Sequence, residues 1–414
     1  MTSVTPDPSQ PTTSLPVRRR RAALVFVLVT VMLDMLAIGV IVPVLPRLLL
    51  HFEGGDTADA AAVYGIFGTM FAAMQFLFSP TMGALSDRFG RRRVILISNL
   101  GLGLDYIVMA LAPSVGWLLV GRVISGICGA SIAPALAYTS DITPPEKRAA
   151  SFGLINASFG VGFVIGPALG GILGSVDLRL PFWVSAGLSL ANAAYGLFVL
   201  PESLPPEKRA RFDWRRANPI GSLMLLRRHP EVLGIAVVLF LGFVAHEAYP
   251  SVFVLYTDYR YGWGPRTVGL ALAMVGIATA LVGAWLLRLI VPALGERRSL
   301  FLGLACGAAG FATYGLATTP VWFCSGILVA ALWGLAGPSA QALMTKRMEA
   351  TEQGRLQGAI SGLRGVASMI GPGIFTTTFA TAIRSAGRYP GAPFLVSSLL
   401  LVSSLGVALR VAKR

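Results

Sequence analysis

Residues 25–46 read VFVLVTVMLDMLAIGVIVPVLP, apolar or Gly everywhere except Thr30, Asp34, Pro43 and Pro46. A run of that length matches the hydrocarbon core of a bilayer, which takes about twenty helical residues. Similar runs recur to the end of the chain, and no other feature restricts the fold as strongly. In lipid every backbone polar group needs an internal partner, so a chain made of such runs folds as a helical bundle. Composition agrees: of 414 residues, 55% are hydrophobic and 13% charged, whereas soluble domains carry roughly 25% charged residues.

Apolar windows predict helices at 22–50, 61–85, 94–112, 115–138, 150–174 and 180–200, then at 231–256, 265–291, 299–317, 320–343, 357–380 and 391–410. The expected fold is an all-α membrane protein of twelve transmembrane helices. The net charge of +15 does not point to nucleic acid, because the basic residues sit in short gaps between apolar runs. The lipid bilayer is the expected partner. Cys128, Cys306 and Cys324 all lie inside apolar runs, so they form neither a disulfide framework nor a zinc site. No cofactor and no metal centre are expected.

With an even number of spans, the N-terminus shares its side with the gaps at 86–93, 139–149, 201–230, 292–298 and 344–356 and with the C-terminus. Most of the 34 Lys and Arg residues lie on that side, while the opposite gaps hold only Arg47, Arg179, Arg260, Arg266, Arg384 and Arg388. The positive-inside rule therefore predicts both termini in the cytoplasm. Residues 1–21 are expected to be a disordered cytoplasmic tail, since their first part is rich in Ser, Thr and Pro. Arg18 to Arg21 before an apolar run imitate a signal peptide. The run is too long for one, however, and no small-residue cleavage site follows.

The polar stretch 201–230 divides the chain into halves at 22–200 and 231–410, joined by a cytoplasmic linker. The halves repeat. PALAYTSDITPPEKRAASFG (134–153) leads into Gly166-Pro167, and PSAQALMTKRMEATEQGRLQG (338–358) leads at the same spacing into Gly371-Pro372. GRRR at 90–93 is matched by GERR at 295–298. Two parallel six-helix halves that rock around a midplane site are a transporter design.

GALSDRFGRRR (83–93) resembles the signature loop of the major facilitator superfamily. GRVISGICGA (121–130) is similar to its fourth-helix arginine motif, and GFVIGPALGG (162–171) to the fifth-helix motif of its antiporters. LDMLAIGVIVPVLP resembles the first helix of its twelve-helix drug/proton antiporters. Within that group MQFLFSP, DYIVMA, LQGAISG and GPGIF are most similar to tetracycline efflux pumps. The resemblance implies two pseudo-symmetric halves in the major facilitator fold. It also implies a cytoplasmic latch made by the loop while the outer face is open.

The residues carry the same chemistry on physical grounds. Gly83 and Gly90 let backbones approach closely, Asp87 suits a helix N-terminus, and Arg91 offers a carboxylate a bidentate partner. Arg88 belongs to the same loop, and Arg364, about two turns into the eleventh helix, lies on the right side to join it. Asp34 is costly at membrane depth, which marks it as the residue that loads a proton from one side and releases it to the other. Arg122 is its expected partner, and Glu247, the only deep acid of the second half, is expected to share in proton or substrate handling. Gly39, Pro43 and Pro46 loosen the outer part of the first helix. Gln75, Asp105, His246, Glu247 and Gln341 are candidate cavity residues for a small-molecule substrate; Asp105 fits equally a packed pair with Tyr106. Gly162, Gly166, Pro167, Gly170 and Gly171 allow tight helix crossing and a bend.

The chain departs from tetracycline pumps at two positions. Thr279 stands where their eighth helix has a histidine, and Gly307 where their ninth has an aspartate. A drug that travels with a divalent cation needs oxygen or imidazole ligands, so weak tetracycline resistance is expected. The reading is a monomeric, multi-pass transporter of a bacterial inner membrane that exports a small organic compound in exchange for protons. A sugar or metabolite facilitator or symporter is the alternative on the same fold. An enzyme is disfavoured because no catalytic constellation is present, and a receptor because the repeat and the short outer loops do not suit one. Asp87→Ala should weaken cytoplasmic closure. Loss of a charge-assisted pair of about 1.5–3 kcal/mol shifts a two-state ratio about tenfold or more. Spin-label distances across the cytoplasmic face should lengthen; distances like the wild type's would refute the latch.

Overall fold

The computed structural model describes residues 17–210, 226, 229–349, 352–385 and 389–411. Residues 1–16 of the tail expected at 1–21 and residues 211–225 and 227–228 of the linker lie outside the described residues. Eleven helices are long and apolar enough to cross a membrane, and one of them, Pro265–Leu316, has 52 residues. That is far more than the twenty or so a single crossing takes. It is divided at Gly295, whose φ of 78° and ψ of 159° leave the helical region. The bundle therefore makes twelve crossings, here called spans 1–12, with spans 8 and 9 meeting at Gly295.

The first helix reaches back to Val17, so the tail boundary expected at Arg21 moves to the N-terminal side. Arg is a good helix former, and nothing in the run 18–21 stops a helix. Span 2, Thr57–Phe89, starts at Asp56, whose side chain accepts the amides of Ala58 (2.8 Å) and Asp59 (3.0 Å). Those hydrogen bonds, from Asp59 first and Ala58 second, hold the Asp56 carboxyl below the usual carboxylate range. Spans 3, 5, 6, 11 and 12 are Arg91–Leu111, Ala150–Val176, Leu180–Val199, Gln353–Arg384 and Ala392–Val411.

Spans 1, 4, 7 and 10 are each broken. Span 1 consists of Val17–Ile41 and Leu45–Phe52, and span 4 of Val115–Gly129 and Ile132–Ile142. Span 7 consists of Pro230–His246 and Ala248–Tyr261; span 10 of Pro320–Ala331 and Ala336–Thr345, joined by the 3-10 turn Leu332–Leu335. Each is the first helix of a three-helix unit, so the repeat runs at three helices as well as at six. The breaks stay bonded. Val44 N–H donates to Ile41 O (3.0 Å), Ser131 N–H to Cys128 O (3.2 Å) and Glu247 N–H to Val244 O (3.1 Å).

Glycines set the closest crossings. A Cβ on Gly166 would lie 2.8 Å from Gly39 Cα, and one on Gly170 would lie 2.7 Å from Val40 Cα, both in span 1. On the other side of span 5, a Cβ on Gly171 would lie 3.0 Å from Gly269 Cα in span 8. The motif thus seats span 5 between span 1 of its own half and span 8 of the other.

The two halves meet through span 2 against span 11 and span 5 against span 8. These contacts gather towards the face away from the termini. Thr69 Oγ1 donates to Met369 O (3.1 Å), Tyr64 OH donates to Pro250 O (2.9 Å), and a Cβ on Gly68 would lie 2.9 Å from Pro372 Cβ. Arg47 pairs with Asp258 and donates to Trp263 O, and Arg384 pairs with Asp59. A Cβ on Gly83, Gly153, Gly160 or Gly283 would meet nothing within 4 Å, so these glycines, on the terminus-bearing side, are not in close crossings. The bundle is closed at the far face. Gly166→Val should lower stability by about 1–3 kcal/mol through overpacking, whereas Gly160→Val should be tolerated. Thermal unfolding in detergent should separate the two variants, and equal melting temperatures would show that the crossing can relax.

Candidate functional site

On the face bearing the termini, Gly90 ends span 2 and opens span 3 with a φ of 100°, a conformation that favours glycine. Beside it Arg91, 12% exposed, reaches Asp87 at 3.0 Å and pairs more closely with Asp141 of span 4. The Arg91 amide donates to Glu202 Oε1 (2.9 Å), which also accepts from Ser203 N–H and Leu204 N–H (3.1 Å each). Ser203 Oγ donates to Asp141 (3.0 Å), and Ala210 N–H to Asp87 O (3.1 Å). The loop after span 2 is thereby tied to span 4 and to the start of the linker. Asp87 is 48% exposed, so its pair is worth less than the sequence suggested, about 0–1 kcal/mol. Arg88 stacks on Phe89, 5.0 Å from the ring centroid.

Two expectations for this cluster need correction. The close approach expected at Gly83 is absent, and Arg364 is elsewhere, on Phe243 of span 7. A helix position gives depth readily, but the direction of a side chain depends on the bundle. Asp141 and Glu202 were not anticipated, although a signal was present. DITPPEKR (141–148) and ESLPPEKR (202–209) each place an acid three residues before the same PPEKR, and both form a 3-10 turn at the Pro-Glu-Lys.

Asp34 is 9% exposed and its Oδ1 has no hydrogen-bond partner. It faces a small enclosed space shared with Thr30, Ile95, Ser131 and Phe159, opposite the break in span 4. Arg122 does not pair with it. The guanidinium lies 4.8 Å from the Phe71 ring centroid, on the side of span 4 that faces Asp105. Asp105 is 1% exposed with neither oxygen hydrogen-bonded, packed against Gly121, where a Cβ would lie 2.9 Å from its Oδ1. The packed pair with Tyr106 is not made by hydrogen bonding. Gln75 is half-buried, its Nε2 3.5 Å from the Cβ position of Gly129 in span 4.

In the second half, Glu247 sits at the break of span 7. Ser368 Oγ of span 11 donates to its Oε1 at 2.6 Å, and its side chain fills the space beside Gly371. His246, one position earlier, points away from it. Its ring lies 5.9 Å from Trp333 and 6.1 Å from Tyr249, centroid to centroid. That divergence follows from the 100° step of a helix. Gln341 is half-buried in the second segment of span 10. Thr279 is exposed and bonds back to Val275 O (2.8 Å). A Cβ on Gly307 would lie 2.8 Å from Trp333 Cγ, so the indole occupies the space an acid would need. Among the described residues no three His, Cys, Asp or Glu side chains gather to hold a metal.

The sequence compares well with known transport proteins. It is 37% identical over 92% of its length, and 95% of the relative's, to the class C tetracycline resistance protein of Escherichia coli. It is 32% identical over 94% of its length, and 98% of the relative's, to the class G tetracycline resistance protein of Vibrio anguillarum. The crystal structure of peptide transporter POT in complex with sulfate shares the fold, with a TM-score of 0.74 at 15% identity over 94% of this chain and 95% of that one. The Major Facilitator Superfamily model matches residues 27–372. Twelve crossings in two repeated halves, the tethered loop after span 2 and these likenesses agree: the chain belongs to the Major Facilitator Superfamily.

Proposed function

We propose that this membrane protein exports a small, drug-like organic compound in exchange for protons, by alternating access between its halves. The observation that carries this reading is Asp34, a buried acid with an unpartnered oxygen, opposite the break of span 4. An unpaired carboxyl at membrane depth is costly, and such residues mark proton relays. The likeness to tetracycline resistance proteins of two organisms supports efflux of a drug. The positive-inside rule supports cytoplasmic termini, which makes the closed far face the outer one and this state inward-facing. The main apolar core reaches from the second half across the interface to Ala58 and Ala61 of span 2 within one chain, which suits a monomer in a bacterial inner membrane. On this reading Asp34 carries the proton, and Arg122 acts through Asp105 rather than as the partner of Asp34.

Asp34→Asn should leave the protein folded and inserted but abolish proton-coupled transport, because the amide keeps the shape and removes the titrating group. Drug-driven proton release from inverted vesicles is the measurement. Undiminished release would rule out Asp34 as the carrier, and uptake with no proton movement in the wild type would favour a facilitator.

Resistance to tetracycline itself should be weak in a sensitive host. Gly307 supplies no ligand for a metal-bound drug, Thr279 offers only a neutral hydroxyl bonded back to Val275 O, and Glu247 is engaged by Ser368. Losing about 3 kcal/mol of binding weakens affinity more than roughly a hundred-fold. Strong resistance lost on Glu247→Gln would show that the acid has moved to another helix. Strong resistance unaffected by that change would overturn this account of the site.

A further inference from the structure

Arg364 lies about three turns from the start of span 11 and is exposed, although it stands on a membrane-spanning helix. Its guanidinium is held 4.7 Å from the centroid of Phe243. It makes no ion pair within 4.0 Å with any described residue, whereas His229 and Lys346 of the same half pair with Glu352 and Glu296. Glu247, the acid nearest in charge, spends its Oε1 on Ser368 at 2.6 Å. A cation retained only to neutralise Glu247 would close on that carboxylate; this one stacks on a ring and keeps its fork free. An arginine inside a span that makes no close ion pair is expensive and marks a substrate or ion pathway. Its planar donors match a carboxylate in two parallel hydrogen bonds, and stacking on an aromatic face fixes the plane of the fork.

Next along the same wall, the exposed His246 ring stands beside Trp333 and Tyr249. Phe243, the ring under Arg364, stands one helical turn before His246 on span 7, so the cation and the aromatic surface share one neighbourhood. Trp333 fills the space beside Gly307. The wall therefore presents a flat apolar surface with the Arg364 cation beside it.

We propose that the exported compound carries an acidic function, a carboxylate or an enolate, that pairs with Arg364, while its flat apolar part lies against His246, Tyr249 and Trp333. The inference rests on the export reading above and names the substrate class of that site. It also gives a second reason for weak tetracycline resistance, because a drug bearing a divalent cation brings positive charge towards a free guanidinium.

The test is binding to the purified protein in detergent, with no gradient, by isothermal titration. The probes are 2-naphthoate, 9-anthroate and 1-pyrenecarboxylate, each matched with its primary amide. The acids should bind at least about tenfold more tightly than their amides. Arg364→Gln should erase that preference, and Arg364→Lys should keep part of it, since an ammonium holds the charge but lacks the fork. Wild-type elution on size exclusion establishes that each variant is folded. Amides binding as well as acids, or an acid preference that persists in Arg364→Gln, would overturn the proposal. Because no gradient is involved, a failure here leaves the Asp34→Asn result standing, and a failure of proton coupling leaves the binding preference readable.

Discussion

A peptide group in hydrocarbon has no water to bond, so each N–H and C=O left open costs several kcal/mol. Every other feature of this bundle works within that constraint. It forces helices across the membrane, and it limits where a helix can stop. The four breaks lie in the first helix of each three-helix unit, and the amides of Val44, Ser131 and Glu247 still find carbonyls three residues back. Pro43 and Pro250 sit at two of the breaks, where a missing N–H leaves least to satisfy. Glu247 stands at one such interruption, and Asp34 faces another across the bundle, at Ser131 of span 4. Charge and discontinuity thus meet in the same parts of the bundle, where protein rather than lipid surrounds them.

The closeness of the helices has a separate origin. Lipid tails are as apolar as Leu, so helices associate through contact and not through the hydrophobic effect. Gly39, Gly166 and Gly170 bring two backbones together on one side of span 5, and Gly171 and Gly269 do so on the other. One helix therefore touches a fixed partner within its half and a movable partner across the interface. The second face is the one that must separate when the halves rock.

Depth was legible in the sequence and direction was not. The spans and the repeat follow from apolar runs, basic gaps and recurring motifs, all of which are one-dimensional. Gly295 divides spans 8 and 9 where GERR had marked a gap. Arg122 and Arg364 show what is lost. Arg122 was expected to pair with Asp34 but turns to Phe71, and Arg364 was expected in the cytoplasmic latch but lies on Phe243, because a rotation of one residue about a helix changes the partner entirely. Asp141 and Glu202 could have been found from the doubled PPEKR. Trp333 could not, since it fills the space at Gly307 from another span.

The clasp at the far face is wet. The side chains of Arg47 and Asp258 are 21% and 22% exposed, and those of Arg384 and Asp59 are 57% and 51% exposed. Pairs of that kind contribute about 0–1 kcal/mol each and are screened over roughly 8 Å at physiological ionic strength. Their combined hold is of the order of thermal energy. The salinity of the medium bathing that face then becomes a dial on the transporter's idle state: dilute surroundings prolong its closed dwell, and concentrated ones shorten it without any change in the cargo.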